Sequence, residues 1–103
     1  MDEQRIDEVK KNLDECVKRG IEFLDQNYPN WRERIDWHEF RFRSSEKCIA
    51  GQLKFYNSMD SLALINLGFD ISIPFFNEFF GGGIFDPYTY LHDAWIMMSL
   101  EEE

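Results

Sequence analysis

The sequence predicts a mainly α fold: one small single domain, residues 1–103, of about four helices, with room for a short two-stranded β element pairing 39–43 with 69–73. Three observations predict it. Apolar residues recur at three- and four-residue steps near both ends of the chain. Capping and stopping residues punctuate the middle. Finally, 103 residues with no internal repeat and no long linker suit a single core.

The first helix is expected over about Asp2 to Gln26. Ile6, Val9, Leu13, Cys16, Val17, Gly20, Ile21 and Leu24 fall on one face, while Asp7 with Lys11 and Asp14 with Lys18 mark a solvated one. Gly20 inside a helix costs about 1 kcal/mol relative to Ala, and it marks a candidate close helix crossing. Asn27-Tyr28-Pro29-Asn30 ends the helix, because proline cannot continue it. A short turn over Trp31 to Ile35, with Asn30 as cap, follows.

Phe40 and Phe42 alternate with Arg41 and Arg43, a period of two that predicts a short strand or extended segment. Ser44 or Ser45 then caps a helix expected over about Glu46 to Tyr56, and Ser58 or Asp60 caps the next. That segment, Leu62 to Leu67, is apolar nearly all round, which predicts a central place in the core. Gly68 suits the left-handed residue that closes a helix. Asp86 as cap and Pro87 as first residue start the last helix, which runs to about Leu100 with Tyr88, Leu91, Trp95 and Met98 facing inward. Glu101 to Glu103 are expected to fray.

Charge is the most informative global property. The net is −9, unevenly spread. Residues 1–54 hold all eleven Lys and Arg against twelve acids, a net of −1. Residues 55–103 hold no Lys or Arg and eight acids, a net of −8. That half points toward a basic partner and away from direct binding of nucleic acid or an anionic membrane.

The N-terminus is charged from Asp2 onward, unlike a signal peptide, and no apolar run approaches the roughly 20 residues of a bilayer span. The expectation is a cytoplasmic protein in which Cys16 and Cys48 are reduced core residues rather than a disulfide or a shared metal site.

Catalytic signals are weak. His38 and His92, the two imidazoles, stand 54 positions apart. Asp36, His38 and Glu39 cluster without a metal-ligand spacing. Cys48 as a nucleophile needs a nearby base and a lowered thiol pKa. Gly81-Gly82-Gly83 lacks both the nucleotide-loop spacing and a neighbouring base, and Glu78 and Asp86 flank it. No enzyme activity, cofactor or metal is expected.

The stretch Phe69 to Phe85 stands apart, with six Phe, three consecutive Gly and one Pro. Two readings stay open. Either the Phe doublets plug the core while the glycines permit a tight reversal, or they project as interface anchors among acids. On the second reading the partner-binding residues are Asp70, Phe75, Phe76, Glu78, Phe79, Phe80, Asp86 and Asp93.

The series Gly20, Phe23-Leu24-Asp25, Pro29-x-Trp31, Ile35-Asp36, Cys48-Ile49-Ala50-Gly51-Gln52-Leu53, Tyr56, Ala63, Leu67-Gly68-Phe69, Tyr90-Leu91 and Ala94-Trp95-Ile96 resembles a group of small acidic proteins encoded in phages and prophages of Gram-positive bacteria. It covers roughly residues 20–96 and departs from the pattern in the Phe/Gly-rich segment. No catalytic residue transfers with it. The resemblance implies a phage setting and the host cytoplasm. Small acidic proteins in that setting act as host-takeover or anti-defence factors. The expectation is therefore a non-enzymatic inhibitor of a basic, nucleic-acid-handling host protein, with a CRISPR effector as the concrete form. A homodimeric structural or regulatory module, with the Phe loop as its own interface, is the alternative.

Overall fold

The computed structural model describes residues 3–71 and 86–100, with side chains from Ile6 onward. The protein is mainly helical, and the described residues form five α-helices: α1 (Glu3–Asn27), α2 (Trp31–Arg34), α3 (Ile49–Gln52), α4 (Ser61–Asn66) and α5 (Pro87–Leu100), with a 3-10 turn at Tyr56–Ser58. Helix α1 packs chiefly against α5 and also against α4.

Helix α1 buries Leu13, Val17, Gly20, Ile21 and Leu24, the face its periodicity marks. Gly20 is a close crossing: a Cβ there would strike the Leu67 carbonyl oxygen and lie 2.7 Å from the Trp95 ring. Residues distant in sequence, Gly20, Leu67, Gly68 and Trp95, meet at this point. Trp95 is fully buried, stacks on Phe69 at 5.1 Å and meets Trp31 edge-on at 6.4 Å. Its indole N–H donates to the Gly68 carbonyl at 2.6 Å. The other two indoles are also satisfied, Trp31 by Asp25 Oδ1 at 2.8 Å and Trp37 by the Arg32 carbonyl at 3.1 Å. Large rings thus fill the core without leaving a polar N–H stranded.

Helix α4 ends as Gly68 predicts. Gly68 has φ +79°, and the Phe69 amide returns to the Leu64 carbonyl at 2.8 Å while that of Gly68 reaches Ile65 at 3.1 Å. This double closure satisfies carbonyls the helix leaves open. Asp60 is the cap that starts α4, accepting the Ala63 amide at 2.9 Å. The expectation that α4 sits at the centre of the core is overturned. Leu64 is buried, but Leu62 is 74% exposed. A six-residue helix lying along α1 covers one side only, and the centre belongs to the larger rings of Trp31, Phe69 and Trp95.

Three further expectations are corrected. Asn30 precedes α2 in the left-handed region (φ 62°) without a side-chain cap bond; its backbone carbonyl takes the Glu33 amide at 3.1 Å instead. Residues 39–43 form no strand, and residues 69–71 are likewise irregular, while 72 and 73 lie outside the described residues. The alternation is real in burial, with Phe40 and Phe42 inside and Arg41 and Arg43 outside. Its backbone bonds are local: Glu39 to Asp36 at 3.0 Å and Ser44 to Arg41 at 3.1 Å.

The helix expected over Glu46 to Tyr56 shrinks to Ile49–Gln52. Ser44 Oγ does accept the amides of Glu46 and Lys47, at 3.2 and 3.0 Å, but it caps a turn. Cys48 starts α3, its Sγ taking the Gly51 amide at 3.4 Å. Lys54, at φ 69°, stops it, and Phe55 closes back on the Ala50 carbonyl at 2.9 Å. Gln52 holds this segment to the start of the preceding loop. Its Oε1 accepts the Asp36 amide at 2.7 Å, and its Nε2 donates to the carbonyls of Asp36 and Lys47 at 3.2 and 2.9 Å. The hydrogen bonding of the Cys48-x-x-Gly51-Gln52-Leu53 run is therefore architectural.

Candidate partner-binding surface

The acids of the C-terminal half occupy different stations. Asp86 caps α5: Oδ1 accepts the amides of Tyr88 and Thr89 at 3.1 and 3.4 Å, and Oδ2 accepts the Thr89 hydroxyl at 2.8 Å. Its sequence role as a helix start is the role it performs. Asp70 is half-buried, taking the Tyr56 hydroxyl at 3.2 Å and the Ile71 amide at 2.8 Å. Burial first, and this carboxylate second, push the phenols of Tyr56 and Tyr88 above their ordinary value. Asp93 stands outward, its side chain 66% exposed, 3.5 Å from His92 Nδ1. Asp86 and Asp93 lie two turns apart along α5. Phe75, Phe76, Glu78, Phe79 and Phe80 lie outside the described residues.

The cations all belong to the first 54 residues, though Arg32, Arg41 and Arg43 reach α5 in space. The ion pairs Arg32–Asp25 (3.1 Å) and Lys47–Glu39 (3.3 Å) both join groups of the first 54 residues. Arg32 also covers the Trp31 ring at 4.6 Å and donates to the Ser99 carbonyl at 2.9 Å, stabilising the negative end of α5.

Among the described residues, concavities border α5 on two sides. A groove of about 190 Å³ is lined by Arg41, Phe42, Arg43, Tyr88, Thr89 and His92. Within it Arg43 sits over Tyr88 at 4.7 Å, and the His92 ring stacks on Phe40 at 4.8 Å. A second, apolar cleft of about 160 Å³ lies between α1 and the Gly68 corner, lined in part by Val9, Leu13, Cys16, Ile65 and Leu91. The Phe/Arg alternation points to a strand or extended segment and not to a groove; the cleft has no sequence signal, because its walls come from four separate elements.

Neither thiol is activated. Burial raises the pKa of Cys48, and it raises that of half-buried Cys16 against the opposing pull of Arg19. A thiol held protonated is a poor nucleophile. Among the described residues no three His, Cys, Asp or Glu side chains gather as a metal would require. No described helix is long and apolar enough to cross a membrane.

What sequence reading missed is the outer side of α5. Met97 is 56% and Leu100 46% exposed. The signal was available, since α5 holds more apolar residues than one buried face can use. No family model matches the chain, and no curated protein or solved structure matches it either.

Proposed function

We propose that this protein is a non-enzymatic, phage-type inhibitor that binds a basic, nucleic-acid-handling host protein and occupies the surface where nucleic acid would lie. A CRISPR effector is the concrete target class. One observation carries the reading: residues 55–103 hold eight acids and no Lys or Arg. The positions of the described acids support it. Asp60 and Asp93 are exposed, and the capping role of Asp86 uses its lone pairs while leaving its charge in place. Asp70, half-buried against Tyr56, contributes least. Such a surface raises the encounter rate with a basic site and competes there with phosphates.

The test is displacement. A labelled duplex bound to a purified RNA-guided nuclease is challenged with the protein at several salt concentrations. Release of the duplex, weakening steeply between about 50 and 200 mM salt, is the expected result. Full retention of duplex and of nuclease activity across a panel of such effectors would remove the proposal.

A further inference from the structure

Helix α5 is apolar around most of its circumference. Leu91, Ala94, Trp95 and Ser99 are buried, and Ile96, Met97, Met98 and Leu100 supply much of the remaining surface. A helix apolar on all sides is ordinarily enclosed. Here it is not, for Met97 and Leu100 keep 56% and 46% of their surface open. Asp93, Met97 and Leu100 follow at steps of four and three, so they form one outward stripe with half-buried Ile96 beside it. Exposed Asp93 stands at one end of the stripe, and in sequence three further acids, Glu101-Glu102-Glu103, follow Leu100. Arg32, the cation that reaches the last turn of α5, is engaged by the Ser99 carbonyl and Asp25.

From this stripe we infer an interaction surface, the outer face of α5, that docks a protein partner presenting an apolar cleft edged by Lys or Arg. The inference rests on the acidic-binder reading and names the face that does the binding. Charge complementarity selects the occupant. A second copy would repeat the same patch across a symmetric contact and add another Asp93 without a cation to answer it. A wholly apolar pocket would desolvate Asp93 with nothing to pair it. Nucleic acid and anionic lipid are repelled by the same charges. A cleft with a cationic rim seats the Met97 and Leu100 side chains and answers exposed Asp93. Methionine suits such a role, because its unbranched thioether adapts to irregular pockets.

The experiment uses two fluorescent helical peptides of about 18 residues, five turns each. One is amphipathic Leu/Lys; the other carries the same Lys pattern with Ser in place of Leu. Wild type is expected to bind the Leu/Lys peptide about tenfold more tightly than the Ser/Lys peptide. Met97→Ser/Leu100→Ser should abolish that preference, Asp93→Asn should weaken binding about threefold at low salt only, and Leu62→Ser, exposed on α4, should change nothing. All these side chains are exposed, and circular dichroism melts check that each variant folds. Equal affinity for the two peptides, or an unchanged preference in the double variant, would overturn the inference. So would a wild-type dimer that the double variant converts to monomer. The nuclease displacement assay separates the two ideas. A target blocked equally well by wild type and Met97→Ser/Leu100→Ser overturns this face and spares the acidic-binder reading. Peptide preference with no target blocked supports the face and removes the reading.

Discussion

The indole of Trp95 donates a 2.6 Å hydrogen bond to the carbonyl of Gly68, the residue whose left-handed backbone closes α4, and the same ring packs on Gly20 of α1. Three helices are joined at one side chain. Trp95→Phe would leave the Gly68 carbonyl buried without its donor and open a small cavity. It is expected to cost about 2–4 kcal/mol in urea unfolding. Gly20→Ala, which pushes a methyl into the Leu67 carbonyl, is expected to cost about 1–3 kcal/mol.

Ser99 makes the opposite case. Its Oγ is fully buried, with no hydrogen-bond partner among the described residues. Ser99→Ala removes a stranded polar atom and leaves the bond from Arg32 to the Ser99 backbone carbonyl intact. The expected change is neutral to stabilising, up to about 1 kcal/mol by thermal or urea unfolding.

Gln52 gives a third prediction. Both ends of its amide are used, on Asp36 and Lys47. Gln52→Glu keeps the acceptor but sets a carboxylate against two carbonyls. It is expected to destabilise by about 1–3 kcal/mol in urea unfolding, because the bonds donated to the Asp36 and Lys47 carbonyls are lost.

Tyr90 makes stability depend on pH at the alkaline end. Burial, with the bond from its hydroxyl to Asp14 at 2.8 Å, raises the phenol from its ordinary 10 to about 12. The folded state therefore holds the proton more tightly than the unfolded chain. Its contribution is complete below pH 10 and is lost as pH rises from there through about 12. Unfolding free energies of wild type should fall more steeply over that window than those of Tyr90→Phe, and phenolate absorbance should show one tyrosine titrating late.

The thiols test the non-enzymatic reading. With both pKa values raised, neither should react fast with iodoacetamide at neutral pH. Half-buried Cys16 should label before buried Cys48, and both should label quickly in denaturant. Rapid labelling of Cys48 in the native protein would reopen a nucleophilic role.

Local rules reached far in this chain. The buried face of α1, the Asp60 and Asp86 caps, the Gly68 stop, the Gly20 crossing and the span of α5 were all legible, because each depends on neighbours within a few residues. Charge segregation was legible too, being a property of composition. Three-dimensional packing decided the rest. Phe40 and Phe42 turned inward without a strand because no described segment supplies a ladder, and α3 shrank because Lys54 takes a left-handed conformation that its side chain does not announce. Leu62 went outside, and Met97 and Leu100 stayed exposed, because Trp95, Phe69 and Trp31 had already filled the centre. Periodicity says which residues can share a face, but the volume available in the core decides which of those faces is covered.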